Sequence, residues 1–229
     1  MSLEMKGVSS MATRQILSIL ANRYEDETGI RAEIAAMGGV DAAQLVRSGA
    51  RTDIVVLASN VMAELEAEGH LLSGSTVGIA RSEIALAVPK GAHAPDITDV
   101  ASIQTAVTKA DRICYSTGPS GNHVLKLFED WGIARNDAER LVKAPSGVPV
   151  GELLARGEAA MGFQQLSELM NVSGITIVGV LPPAIQSTTI FAAGISSTSE
   201  IPDEVGKLIS SFVSTASDVV KRDCGMGPA

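Results

Sequence analysis

Val8-Ser9-Ser10-Met11-Ala12-Thr13-Arg14 joins a short β-rich run, Lys6 to Ser9, to a stretch from about Met11 to Thr28. In that second stretch the apolar positions Ile16, Leu17, Ile19, Leu20 and Tyr24 recur at helical spacing until Gly29 stops it. A strand that turns directly into a helix is the repeating unit of parallel sheets covered by helices. Two more units follow. Arg31 to Ala36 leads into a helix from Val40 to near Ser48-Gly49, and Ile54-Val55-Val56-Leu57 leads into Val61 to Glu68, closed by Gly69. These units predict one α/β lobe.

A second series starts with the predicted strand Ser82 to Val88, then a loop over Lys90 to Pro95 and a helix around Val100 to Lys109. Arg112 to Tyr115, Arg140 to Lys143 and Ala160 to Phe163 read as its strands, with helices up to Trp131 and through Leu153 and Leu154. Beyond Ile175 to Val178 and the turn Leu181-Pro182-Pro183, the strand Thr188 to Ala193 should lead back. A last helix starting near Pro202, a favoured first helical residue, should rejoin the first lobe. The expected division is 1–81 with 190–229 for lobe 1 and 82–189 for lobe 2. The expected class is α/β, with mainly parallel sheets.

Composition narrows the partners. The chain has 229 residues, is 45% hydrophobic and carries a formal charge of -8, with no basic run to neutralise successive phosphates, so nucleic acid is excluded. No apolar stretch reaches the length of a membrane helix, which excludes membrane insertion. Aromatics make up only 3%, so aliphatic side chains must fill the core. Cys114 lies in an apparent buried strand and Cys224 near the C-terminus, which gives no disulfide framework and no reactive thiol. Met1-Ser2-Leu3 reads as an appended start. A periplasmic location is expected if an export signal was removed ahead of it, and a cytoplasmic one otherwise.

In open α/β sheets, chemistry gathers where strands end and helices begin, because unpaired N–H groups there point into the crevice. Four such corners share one composition. They are Ser9-Ser10 with Arg14 in the following turn; Gly38-Gly39-Val40; Ser116-Thr117-Gly118-Pro119-Ser120; and Pro145-Ser146-Gly147-Val148. Each alone can be an ordinary cap or turn. Two in each half of the chain fit a ligand held between facing helix starts. Ser59 closes the Asp53 to Ser59 stretch of the third strand, and Gln164-Gln165 places paired amides at a strand end, where they suit an oxygen-rich ligand. Arg81, at the start of the expected second series, could fork onto a carboxylate. A cofactor is not expected, because there is no dinucleotide fingerprint or phosphate loop, and no metal-ligand spacing appears. No catalytic base stands out. His123 lies on a helix, where packing is the plainer reading, and His70 and His93 fall in loops.

In this order these residues resemble the type 2 periplasmic binding proteins, and within them the molybdate-binding-protein-like branch. The resemblance covers essentially the whole chain. It implies two Rossmann-like lobes joined by two crossover strands, closing on an oxyanion held by Ser9, Ser10, Gly39, Val148 and the Tyr115 to Gly121 loop. Molybdate binders of the family tend to carry a serine where this chain has Gly38-Gly39, and a tyrosine where it has Gln165, so two side-chain donors for a bare oxyanion are gone. The stretches Ser-Ser-Met-Ala-Thr-Arg, Tyr-Ser-Thr-Gly-Pro-Ser-Gly and Gly-Phe-Gln-Gln-Leu-Ser-Glu-Leu look more like a subgroup that includes aconitate isomerase. Two functions therefore stand side by side. One is a monomeric solute-binding protein that offers a small anion to an ABC transporter permease. The other is an isomerase of an unsaturated polycarboxylate, with Arg14, Arg81 and the glutamines facing the carboxylates.

Overall fold

The computed structural model describes residues 3–133 and 138–229, so Met1 and Ser2 of the Met1-Ser2-Leu3 stretch lie outside the described residues. The chain divides into two compact units, 1–82 with 189–229 and 83–188. It passes from one to the other twice.

The first unit is built on a five-stranded sheet: β1 (Glu4–Ser10), β2 (Arg31–Met37), β3 (Ile54–Ala58), β4 (Val77–Ser82) and β10 (Thr189–Ile195), ordered β2-β1-β3-β10-β4. β1 pairs in parallel with β2 and β3, while β10 runs antiparallel to both β3 and β4. Helices α1 (Arg14–Thr28) and α8 (Pro202–Val213) pack Leu17, Leu20, Leu208 and Phe212 on one face. Helices α2 (Gly39–Arg47) and α3 (Ser59–Ala67) pack Val46, Met62 and Leu65 on the other. A strand covered on both faces becomes apolar throughout, and all five residues of β3 are buried.

The second unit repeats the plan. Its strands are β5 (Ile84–Pro89), β6 (Ile113–Tyr115), β7 (Leu141–Lys143), β8 (Met161–Gln165) and β9 (Ile175–Val180), ordered β7-β6-β8-β5-β9. Helices α4 (Val100–Lys109) and α5 (Pro119–Asp130) cover one face, where Phe128 meets Phe163 edge-on at 5.6 Å. Helices α6 (Val150–Ala155) and α7 (Leu166–Leu169) cover the other. A short α9 (Asp218–Asp223) ends the helices of the first unit.

In each sheet the fourth position holds the reversed strand, β10 or β5, and that strand is the first one after the chain has crossed over. The mainly parallel class read from the sequence therefore holds, with one opposed strand per sheet. Two local expectations need correction. The run beginning at Ser82 is two strands: Arg81 and Ser82 end β4, Glu83 links, and β5 starts at Ile84. β4 is an edge strand of mixed burial whose partner β10 lies more than a hundred residues away, so its pattern is weak in one dimension. The helix expected from Met11 opens instead as a 3-10 turn, Met11–Thr13, and becomes α-helical at Arg14. Gly29 ends α1 at φ 74°, a left-handed conformation natural to glycine.

Candidate functional site

In the first unit, β1 and β3 flank the point where the order reverses, the place where open sheets of this kind hold ligands. At the end of β1, Ser9 and Ser10 are both buried, and neither hydroxyl has a hydrogen-bond partner among the described residues. Consecutive strand residues point to opposite faces, so the two hydroxyls flank the strand end. Ser10 precedes the 3-10 turn in extended conformation yet makes no side-chain cap. The capping role that would explain these serines is therefore not the one they play. Thr13, also buried, donates its Oγ1–H to the Ser10 carbonyl at 3.1 Å and pins the turn. Arg14 is exposed in the first turn of α1, which holds no acidic residue. A cation there opposes the helix dipole, so α1 gains nothing from it.

At the end of β2, Gly38 is buried and Gly39 opens α2, with nothing within 4 Å of where a Cβ would stand. Val40 follows at 67% exposure, and Ser59 is exposed as the first residue of α3. The first unit thus brings Ser9, Ser10, Arg14, Gly38, Gly39, Val40 and Ser59 to one end of its sheet. Arg81 lies at the same end of the sheet but on its edge strand β4, two strands from β3. Its backbone bonds Gly227 in both directions, and its side chain lies over that glycine, 3.0 Å from where a Cβ would be.

The second unit offers the corresponding end of β6, β7 and β8. Here Ser116 and Ser120 satisfy each other, Oγ to Oγ at 2.8 Å, and both are buried. Gly121 is required for this approach: a Cβ at that position would lie 1.8 Å from the Ser116 carbonyl oxygen. Thr117 and Gly118 are half-buried, and Gly118 caps α5. In the β7 corner, Gly147 takes φ 75° in a turn closed by the Val148 N–H donating to the Pro145 carbonyl at 3.1 Å. That turn uses Val148's backbone donor internally.

The two glutamines at the end of β8 are both 2% exposed. Gln164 Oε1 accepts the Val150 N–H at 2.7 Å, and its Nε2 donates to Glu168 Oε2 at 2.6 Å. Burial pushes the Glu168 carboxyl up to about 7, the Gln164 hydrogen bond pulling weakly the other way. The residue reading of the sequence passed over Glu168, although it lies within Gly-Phe-Gln-Gln-Leu-Ser-Glu-Leu, four residues after Gln164. His123, the weighed alternative base, donates its Nε2–H to the Ile185 carbonyl at 2.8 Å, in keeping with a packing role. Cys114 is fully buried, and desolvation raises its thiol to about 12. Among the described residues no group of three His, Cys, Asp or Glu side chains could hold a metal ion.

The family model for "Bacterial extracellular solute-binding protein" matches residues 6–226. The chain belongs to that family. A Pseudomonas sp protein named aconitate isomerase is 33% identical over 216 residues, covering 91% of this chain and 82% of that protein. The Azotobacter vinelandii periplasmic molybdate-binding protein superposes with a TM-score of 0.83 at 19% identity, over 98% of this chain and 99% of its own. The binding protein AgtB from A. tumefacien R10, in complex with agropinic acid, gives 0.74 at 14% identity, over 100% of this solute-binding chain and 83% of its own. The two structural likenesses carry the fold, a type 2 periplasmic binding protein. The family membership rests on the sequence match.

Proposed function

We propose that this solute-binding protein takes a small organic polycarboxylate, anchored at the Ser9-Ser10 corner of the first unit. The observation that carries this reading is that both buried hydroxyls of this corner lack a hydrogen-bond partner among the described residues. A buried hydroxyl left unpaired costs about 1–3 kcal/mol, and a bound anion would supply both acceptors at once. Three features favour carboxylates over a bare oxyanion. Arg14 stands in the first turn after the serines, Gly38-Gly39 contributes backbone without a side-chain donor, and the relative matched along most of the chain is named for a tricarboxylate. A monomer whose ligand-bound form is favoured in this way is what a permease of an ABC transporter would receive on the outer side of the membrane.

A thermal-shift series tests the ligand class, since a ligand selective for the native state raises the midpoint by mass action. Citrate and cis- and trans-aconitate should stabilise the protein, while molybdate, tungstate and sulfate should not. Stabilisation by molybdate with no response to any carboxylate would overturn the reading.

A second reading has its own support. The 33% relative is named an isomerase, and the second unit holds a carboxyl that titrates near neutrality beside the corner residues. On this reading the protein moves a double bond within the bound acid. Incubation with trans-aconitate, followed for the cis isomer, tests it; no conversion at high protein concentration removes it.

A further inference from the structure

β8 and the first turn of α6 lie unusually close. A Cβ on Gly162 would fall 2.5 Å from Val150 Cγ1 and 2.6 Å from Cys114 Sγ, so only glycine lets α6 settle on the strand. Two residues on, and on the same face of the strand, Gln164 reaches the Val150 N–H with its Oε1. Because that N–H can only donate, the amide cannot be turned round, and its NH2 must point to Glu168 Oε2. Gln164 therefore supplies a donor to Glu168 at every pH. Oε2 is occupied as an acceptor, and Oε1 is the oxygen left to take up and release a proton. β5, β8 and α6 pack against α7; β5 and β8 carry no charged residue, and Glu152 of α6 is exposed and directed to Arg156. No cation in these elements holds Glu168 ionised, while the residue is half-buried at the corner end of the sheet.

We infer that Glu168 is a proton carrier at the corner end of the second unit, with Oε1 as the reacting atom and Gln164 as the residue that positions it. This rests on the isomerase reading. The step balances on the acid alone. The carboxylate takes a proton from the methylene beside the double bond, and the C–H electron pair becomes the new double bond. The former double bond then takes the same proton, or one exchanged with water, at its far carbon, and Glu168 returns to the carboxylate. Atoms and charge are conserved without any co-reactant. A carboxyl standing near 7 is present in both forms at neutral pH, the condition under which one group serves as base and then acid with the least loss.

The test uses the full chain with trans-aconitate in D2O, followed by NMR, beside citrate thermal shifts as a measure of the intact site. Glu168→Gln should retain the citrate shift while conversion and deuterium uptake fall by about 100-fold or more. Glu168→Asp should keep measurable activity, with the rise of kcat/KM near pH 7 displaced to lower pH. The inference is overturned by a Glu168→Gln protein that converts within a few-fold of wild type, or by a Glu168→Asp protein with the wild-type pH profile. A wild-type protein that binds citrate or aconitate yet neither converts nor exchanges deuterium overturns the isomerase reading and this inference with it, leaving the binding reading intact.

Discussion

The Ser9-Ser10 corner and the Ser116-to-Ser120 corner start from nearly the same residues and reach opposite states. In the second, two hydroxyls bond each other at 2.8 Å and a glycine lets the helix close over the strand end, so the corner is internally complete. In the first, two buried hydroxyls have no partner among the described residues, and the helix after them begins with a cation. A fold can tolerate such a corner only at a cost, and that cost marks where a guest supplies what the protein does not. Small hydroxyl-rich turns are thus no guide to binding by themselves. Whether their oxygens are already paired is what separates a built-in cap from an open anchor.

This contrast can be broken most sharply at Gly121. Gly121→Ala would drive a methyl to within 1.8 Å of a backbone oxygen, and urea denaturation should show a loss of about 4 kcal/mol or more. Gly39→Ser, in the open corner, meets nothing within 4 Å and should stay within about 0.5 kcal/mol of wild type. If both cost the same, the two corners are not built differently.

The next effect lies at Glu168. Its folded value is raised from 4.5 to about 7, so the folded state holds the proton more tightly than the unfolded chain does. Its contribution is then fully present below about pH 4.5 and disappears as pH rises through 7, a difference of up to about 3 kcal/mol. Glu168→Gln, which carries no titrating group, should flatten the pH dependence of Tm across that window. An unchanged slope would show that the carboxyl titrates at its ordinary value.

The serines come third. Ser116→Ala strands the buried Ser120 hydroxyl and should cost about 1–3 kcal/mol, with the Ser116→Ala, Ser120→Ala double variant costing less than the two single changes added. Ser9→Ala with Ser10→Ala removes no side-chain hydrogen bond to any of the described residues. The ligand-free protein should therefore lose no stability and gain up to about 1–3 kcal/mol per hydroxyl removed, while carboxylate affinity by calorimetry falls about tenfold or more per hydroxyl. Should the Ser9 and Ser10 changes destabilise the ligand-free protein as much as Ser116→Ala does, the distinction between the corners is lost.

Much of the fold was legible because its signals are local. Helical periodicity from Ile16 to Tyr24, the glycine stop at 29 and the all-apolar run of β3 each declare themselves within one element. The edge strand β4 did not, because only its long-range partner β10 makes it a strand. The candidate site divides the same way. Residue type and position beside a helix start pointed to Ser9, Ser10, Gly39 and the glutamines. Glu168 went unseen because its signal is an amide four residues upstream, tied in turn to a backbone N–H fourteen residues before that amide.

The sequence by itself determined the class of the protein, two α/β units with hydroxyl- and glycine-rich corners, since strand and helix periods and turn residues act over a few positions. Tertiary structure alone decided which hydroxyls are satisfied and which are not, which glutamine is committed to Val150, and where a carboxyl is lifted toward neutrality. Pairing and desolvation depend on which groups the fold brings within 3 Å and shields from water, and neither is a property of a residue's neighbours in the chain.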